Sequence, residues 1–257
     1  MLVLLSCAKT MSAVSKVKVP LTTIPRFQKE AAEIALQMSQ FSVDELVRML
    51  RVNAKIAVEN YKRYQAFHAE TTPELPALLA YTGIVFKRLN PKDFSAEDFG
   101  YAQEHLRLTS FCYGLLRPLD VIRAYRLEGD VVLPELGNQT LFSYWRSRLT
   151  DTFIEDIRSA GGILCNLASD EMKSLFDWKR VESEVRVVTP EFHVWKNGKL
   201  ATIVVYTKMS RGEMTRFILK NKIGNPEELK GFSWEGFEFD ESLSDERKLV
   251  FINGMGE

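Results

Sequence analysis

Cysteine is scarce in this 257-residue chain: Cys7, Cys112 and Cys165 are odd in number, far apart and without C-x-x-C spacing. That argues against a disulfide framework or a structural zinc site and for a reducing compartment. The three histidines, His68, His105 and His193, are too dispersed for a metal-ligand motif, so no metal and no cofactor is implied. No apolar run approaches the roughly 18 residues of a membrane span. The apolar start Leu2–Leu5 has no Lys or Arg before it and is too short for an export signal, so a cytoplasmic protein is expected. Phosphate-cradling glycine loops and dinucleotide fingerprints are also missing. Without repeats, low-complexity tracts or a convincing linker, the expectation is one α+β domain over residues 1–257, built on a mixed sheet.

Net charge is absent too, because 34 Lys+Arg balance 34 Asp+Glu. The balance hides segregation. Between Val194 and Ile223 stand Lys196, Lys199, Lys208, Arg211, Arg216, Lys220 and Lys222 against Glu213 alone, whereas the segment from Pro226 to Arg247 is strongly acidic. A neutral total therefore leaves room for a basic binding face.

What the chain does have is the run His105–Glu128, in which Arg107, Arg117, Arg123, Arg126, Asp120 and Glu128 interrupt residues that otherwise read as core. Charges near a core must be paired, hydrogen-bonded or wet. The run reads either as an ion-pair network bracing a sheet or as a polar cleft for something anionic.

Leu2–Leu5 and Ile163–Leu167 read as buried strands, each ending in a polar loop. If they are parallel neighbours, Ser6, Lys9, Asn166, Ser169 and Glu171 converge beyond their carboxyl ends, where open sheets bind ligands. The plain alternative for Ser169 is a helix cap. Ser6-x-x-Lys9 matches a serine–lysine nucleophile pattern only weakly, and Cys7 reads as a buried, inert thiol.

Helices are expected over Arg26–Met38, Glu74–Tyr81, from Ser95 to about His105, over Thr140–Ser159 and over Glu213–Lys222. Asn197-Gly198 between Val185–Trp195 and Lys199–Thr207 is a hairpin signal, with short closing strands at Phe237–Phe239 and Leu249–Ile252. Tyr206–Gly212 then reads as a basic turn from strand into helix, with Lys208 and Arg211 facing an anion. Ser42 with Glu45, and Asn53, cap two helices joined by Arg51–Asn53, a helix–hairpin–helix over about Val43–Phe67. It carries Arg48, Arg51, Lys55, Lys62 and Arg63, but no glycine at the turn. As pattern alone it is an ordinary helical pair; as a nucleic-acid element it would hold duplex phosphates.

Leu4–Thr10, Tyr81-Thr82-Gly83, Tyr113–Asp120 with Tyr125–Glu128, Asn166–Glu171 and Lys208-x-x-Arg211-Gly212 with Met214, Arg216 and Phe217 together resemble the YaaA family of peroxide stress proteins over nearly the whole chain. The resemblance implies a positively charged cleft, a helix–hairpin–helix, DNA binding, and a role in limiting free iron and oxidative DNA damage under hydrogen peroxide. Three positions depart from the family pattern. Cys7 stands where Pro is usual, Gly129 where Met is usual, and Lys208-Met209-Ser210-Arg211 where a Lys-Lys-Ala-Arg run is usual.

The expected function is sequence-independent binding of double-stranded DNA. The hairpin cations would act with Lys9, Arg117, Arg126, Lys208 and Arg211 in one groove. The alternative is an enzyme on a small anionic or nucleotide-like substrate, clamped by the cleft cations with Glu171, Glu128 or Asp120 as acid or base. A third reading is a protein-interaction module using the acidic segment Glu235–Glu246.

Overall fold

The structure, a computed structural model, describes residues 1–196 and 198–254, so Asn197 of the expected hairpin turn lies outside the described residues. A mixed sheet of eight strands runs in the order Phe237–Phe239, Lys248–Asn253, Arg186–Lys196, Ile163–Asn166, Leu2–Leu5, Leu106–Ser110, Gly114–Leu116. Lys199–Ala201 folds back on the far end of Arg186–Lys196. The five inner strands are parallel, and the outer strands at both edges are antiparallel. Helices flank the sheet, giving the expected mixed α/β class. Leu2, Val3, Leu4 and Leu5 are all buried, which is why an unbroken apolar run belongs in a parallel strand covered on both faces. Burial of such side chains is worth about 1.5–3 kcal/mol each.

The chain leaves Leu2–Leu5 for Leu106–Ser110 on one side and only later adds Ile163–Asn166 on the other. Connections that part to opposite sides leave a crevice at the strands' carboxyl ends. Ser6, Phe111 and Leu167 each follow one of these three ends.

Helices form where capping residues and periodicity place them, at Gln28–Met38, Val43–Leu50, Ala54–Ala66, Ala96–His105 and Leu141–Ser159. Ser42 and Glu45 complete a capping box, and Asn53 accepts from the Ile56 amide. Between the two helices, Arg51 takes the left-handed conformation at φ 50° that a glycine would adopt without strain.

Two expected elements differ. Glu74–Tyr81 is not one helix but a strand Glu74–Pro76, a single turn Ala77–Ala80 and a strand Tyr81–Thr82. Pro76 has no amide hydrogen and biases Leu75 toward extended backbone, which overrides the helical look of the apolar run. The strand expected over Lys199–Thr207 stops at Ala201, and one long helix, Val204–Asn221, absorbs both the supposed basic turn and the helix expected from Glu213. The β-branched run Ile203-Val204-Val205 imitated a strand, but Val204 and Val205 stay exposed in the helix's first turn.

Candidate functional site

A cavity of about 300 Å³ opens at the carboxyl ends of the three central strands. Its polar wall is Ser6, Lys9, Arg126, Ser169, Glu171, Lys208 and Arg211. Its apolar wall includes Phe86, Phe111, Leu127, Leu167 and Met172. Seven sequence-predicted residues, more than 200 positions apart at the extremes, thus share one opening.

The parallel pairing of Leu2–Leu5 with Ile163–Asn166 sets Ser6 beside Ser169. The Ser169 amide donates to Ser6 Oγ at 2.8 Å, and the two hydroxyls lie 3.3 Å apart. Ser169 occupies a helix N-cap position but makes no side-chain cap bond, so capping does not explain it. Lys9 Nζ donates to Glu128 Oε2 and Oε1 at 2.7 and 2.9 Å, not to Ser6, which removes the serine–lysine nucleophile reading. Arg126 approaches the same carboxylate at 3.5 Å. Glu128 is buried and its Lys9 partner mostly exposed, so the carboxylate is the anchored member of the pair.

Lys208 and Arg211 reach the cavity because Gly212 lets the Val204–Asn221 helix press onto Ile84–Leu89. A methyl group at Gly212 would stand 2.3 Å from the Val85 carbonyl oxygen. The two cations are one turn apart on one helix face. Burial pulls the Arg211 guanidinium below its usual pKa, with Asp170 opposing the shift. Among the described residues, the buried Nε of Arg211, Nε of Arg126 and Nδ2 of Asn166 have no hydrogen-bond partner. Each such donor costs about 1–3 kcal/mol, a cost that a bound acceptor would offset. Asn166, expected in the cleft, does not line the cavity; it is buried at its strand end, with Oδ1 accepting from the Ala168 amide.

Tyr125, which lines the cavity, is held in a neutral buried network. Tyr125 OH bonds to Tyr81 OH at 2.7 Å and to Ser110 Oγ at 2.6 Å, and burial holds both phenols well above their usual pKa. Burial likewise lifts the Cys7 thiol to about 12, against an opposing Thr109 hydrogen bond, and Cys165 to about 12. Cys112 is pushed up by burial as well. Cys7 is half-buried and lines the cavity, and its raised pKa keeps it a protonated thiol, a poor peroxide nucleophile.

Arg117 and Asp120 do not join the cavity, which corrects their expected roles in the cleft and in acid–base chemistry. Asp120 is 1% exposed and accepts from Thr23 Oγ1 at 2.6 Å, Arg117 N at 2.8 Å, Arg117 Nη2 at 2.9 Å and Arg117 Nε at 3.1 Å. This group latches the Thr23 segment to the strand that begins at Val121. Arg107 pairs with Asp156 at 2.7 Å and Arg123 with Glu74 at 2.9 Å. Three of the four arginines of the His105–Glu128 run therefore brace the fold, and only Arg126 lines the cavity.

The cations of the two helices Val43–Leu50 and Ala54–Ala66 do not line the cavity, and these helices meet the Tyr125–Asp130 segment instead. Tyr64 OH donates to the Arg126 carbonyl at 2.6 Å, and Arg51 pairs with Asp130. Arg63 is held by Glu59 and Asn60. Arg48, Lys55 and Lys62 are exposed and enter no ion pair among the described residues. The segment that supplies Arg126 to the cavity and Glu128 to Lys9 thus also contacts both helices.

Sequence reasoning overlooked the apolar wall. Phe86, Phe111 and Met172 carry no charge signal and come from separate elements, so only the fold groups them. Gly129 is explained by its neighbour: a Cβ there would lie 2.3 Å from the Phe142 ring, which fills the space a longer side chain would need. Among the described residues, no group of three or more His, Cys, Asp or Glu is placed to hold a metal ion, and no helix is long and apolar enough to cross a membrane.

A family model described as peroxide stress protein YaaA matches residues 1–243. A UPF0246 protein of Bacteroides thetaiotaomicron is 98% identical over the full length of both chains, and one of Bacteroides fragilis is 77% identical, again over 100% of each. More distant, a UPF0246 protein of Saccharophagus degradans is 34% identical over 98% of each chain.

Proposed function

Because this chain belongs to the YaaA family of peroxide stress proteins, we propose that its part in that stress is to bind double-stranded DNA in the cytoplasm and shield it from iron-dependent oxidation. The observation that carries the reading is the set of free cations Arg48, Lys55 and Lys62 on two capped helices clamped to the cavity segment. Lysine and arginine on a rigid frame meet phosphates without reading bases, so binding is sequence-independent. Each phosphate contact displaces condensed cations from the duplex. Ferrous ions held on the same phosphates would be displaced with them, which moves hydroxyl-radical formation away from the sugar and base. The raised thiol pKa of half-buried Cys7 and of buried Cys112 and Cys165 fits protection by occupancy rather than by peroxide consumption.

The test is Fe(II)- and peroxide-driven strand cleavage of a labelled duplex with saturating protein. The wild type reduces cleavage, and the double variant Lys55→Glu, Lys62→Glu does not. Equal protection by both proteins would sink the reading.

A further inference from the structure

We propose that the cavity at the strand ends is a second binding site, for a small molecule of the nucleoside monophosphate class, distinct from the surface that meets duplex DNA. A cavity of about 300 Å³ admits one small ligand and not a double helix. Its polar wall sets four cations (Lys9, Arg126, Lys208, Arg211) against one carboxylate, Glu171, while Glu128 pairs with Lys9 without lining the opening.

These charges are not evenly spent. Lys9 and Arg126 share Glu128. The side chains of Lys208 and Arg211 enter no ion pair or hydrogen bond among the described residues, and the Arg211 Nε is buried without an acceptor. The positive surplus therefore lies on the Val204–Asn221 helix, where a phosphate would be met by a guanidinium and an ammonium one turn apart. Ser6 supplies a hydroxyl on the adjoining wall.

The rest of the ligand follows from the other walls. Glu171 is exposed and makes no ion pair among the described residues, leaving a carboxylate to accept from vicinal hydroxyls such as those of a ribose. Phe86, Phe111, Leu127 and Met172 offer an apolar face to a flat ring. Phosphate, diol and planar ring meet on a nucleoside monophosphate. Inorganic phosphate would leave the apolar wall unused, and a nucleoside would leave Lys208 and Arg211 unpaired.

Isothermal titration calorimetry on the full chain tests this with AMP, UMP, adenosine and inorganic phosphate as separate titrants. The expected result is saturable binding of at least one monophosphate, with adenosine and phosphate each at least tenfold weaker. Arg211→Gln weakens nucleotide binding at least tenfold. Lys208→Gln, at an exposed position that leaves folding intact, weakens it at least threefold. The hairpin double variant Lys55→Glu, Lys62→Glu binds nucleotide as the wild type does, so loss of DNA binding and loss of this site read separately. No heat from any monophosphate at millimolar concentration overturns the proposal. So does phosphate binding as tightly as AMP, which marks a bare anion site, or binding that Lys208→Gln and Arg211→Gln leave unchanged.

Discussion

Replacing Asp120 with Ala separates a structural latch from a catalytic acid. The buried carboxylate accepts four hydrogen bonds, from Thr23 Oγ1 and from Arg117 N, Nε and Nη2. Charged hydrogen bonds of about 1.5–3 kcal/mol each would sum to far more than a single substitution costs. The sum is not realised, because Arg117 is 34% exposed and regains water when its partner is gone. Thr23, half-buried, also rehydrates in part. The cost then falls near the lower end of the range for breaking a buried pair, about 3–4 kcal/mol. For a chain of this size that is roughly 6–16 °C in Tm. Asp120→Asn keeps the shape and one acceptor and should cost about 1–2 kcal/mol. Urea unfolding followed by tryptophan fluorescence measures both, and the slope of the transition should not change. If Asp120→Ala lost less than about 1 kcal/mol while abolishing peroxide protection, Asp120 would be a functional acid and the latch would be wrong.

Gly212→Ala forces a methyl group against the Val85 carbonyl; it should destabilise by about 1–3 kcal/mol and lower the affinity of the cavity for anions, read together by thermal melt and calorimetry. Native Cys7, with its thiol near 12, should react with iodoacetamide at pH 8 roughly a thousandfold more slowly than in urea; alkylation at the unfolded rate would show an open, activated thiol. Burial lowers the pKa of His105, against the hydrogen bond to the Met1 carbonyl, so the unfolded chain takes up the proton first. Its effect on stability is absent above about pH 6.5 and grows as pH falls below it. His105→Gln should flatten this part of the pH profile, and an unaltered profile would remove His105 as its source.

Elements with local signals were legible. Ser42 with Glu45, Asn53 and Ser95 are capping residues that state where helices begin, and the structure uses all three. The apolar runs at Leu2–Leu5 and Ile163–Asn166 became adjacent parallel strands, which is what brought Ser6, Lys9, Ser169 and Glu171 together. Failures came where a local pattern had two physical readings. Ile203-Val204-Val205 looked like a strand because β-branched residues favour extended backbone, but tertiary packing at Gly212 fixed a helix there. Arg117 and Arg126 look alike in sequence. The chain alone does not reveal that Asp120, three residues on, closes on Arg117, while Arg126 turns toward the strand ends. Partner choice among closely spaced charges is a three-dimensional property.

Duplex titration at two salt concentrations tests most directly whether the basic helix pair meets phosphates. If Arg48, Lys55 and Lys62 contact about three phosphates, log K should fall with log salt at a slope near −2.7, or roughly 40-fold weaker binding from 50 to 200 mM. Removing Lys55 and Lys62 should reduce that slope to about −0.9. Duplex affinity that is unmoved by salt, or a slope that the double variant leaves intact, contradicts the assignment.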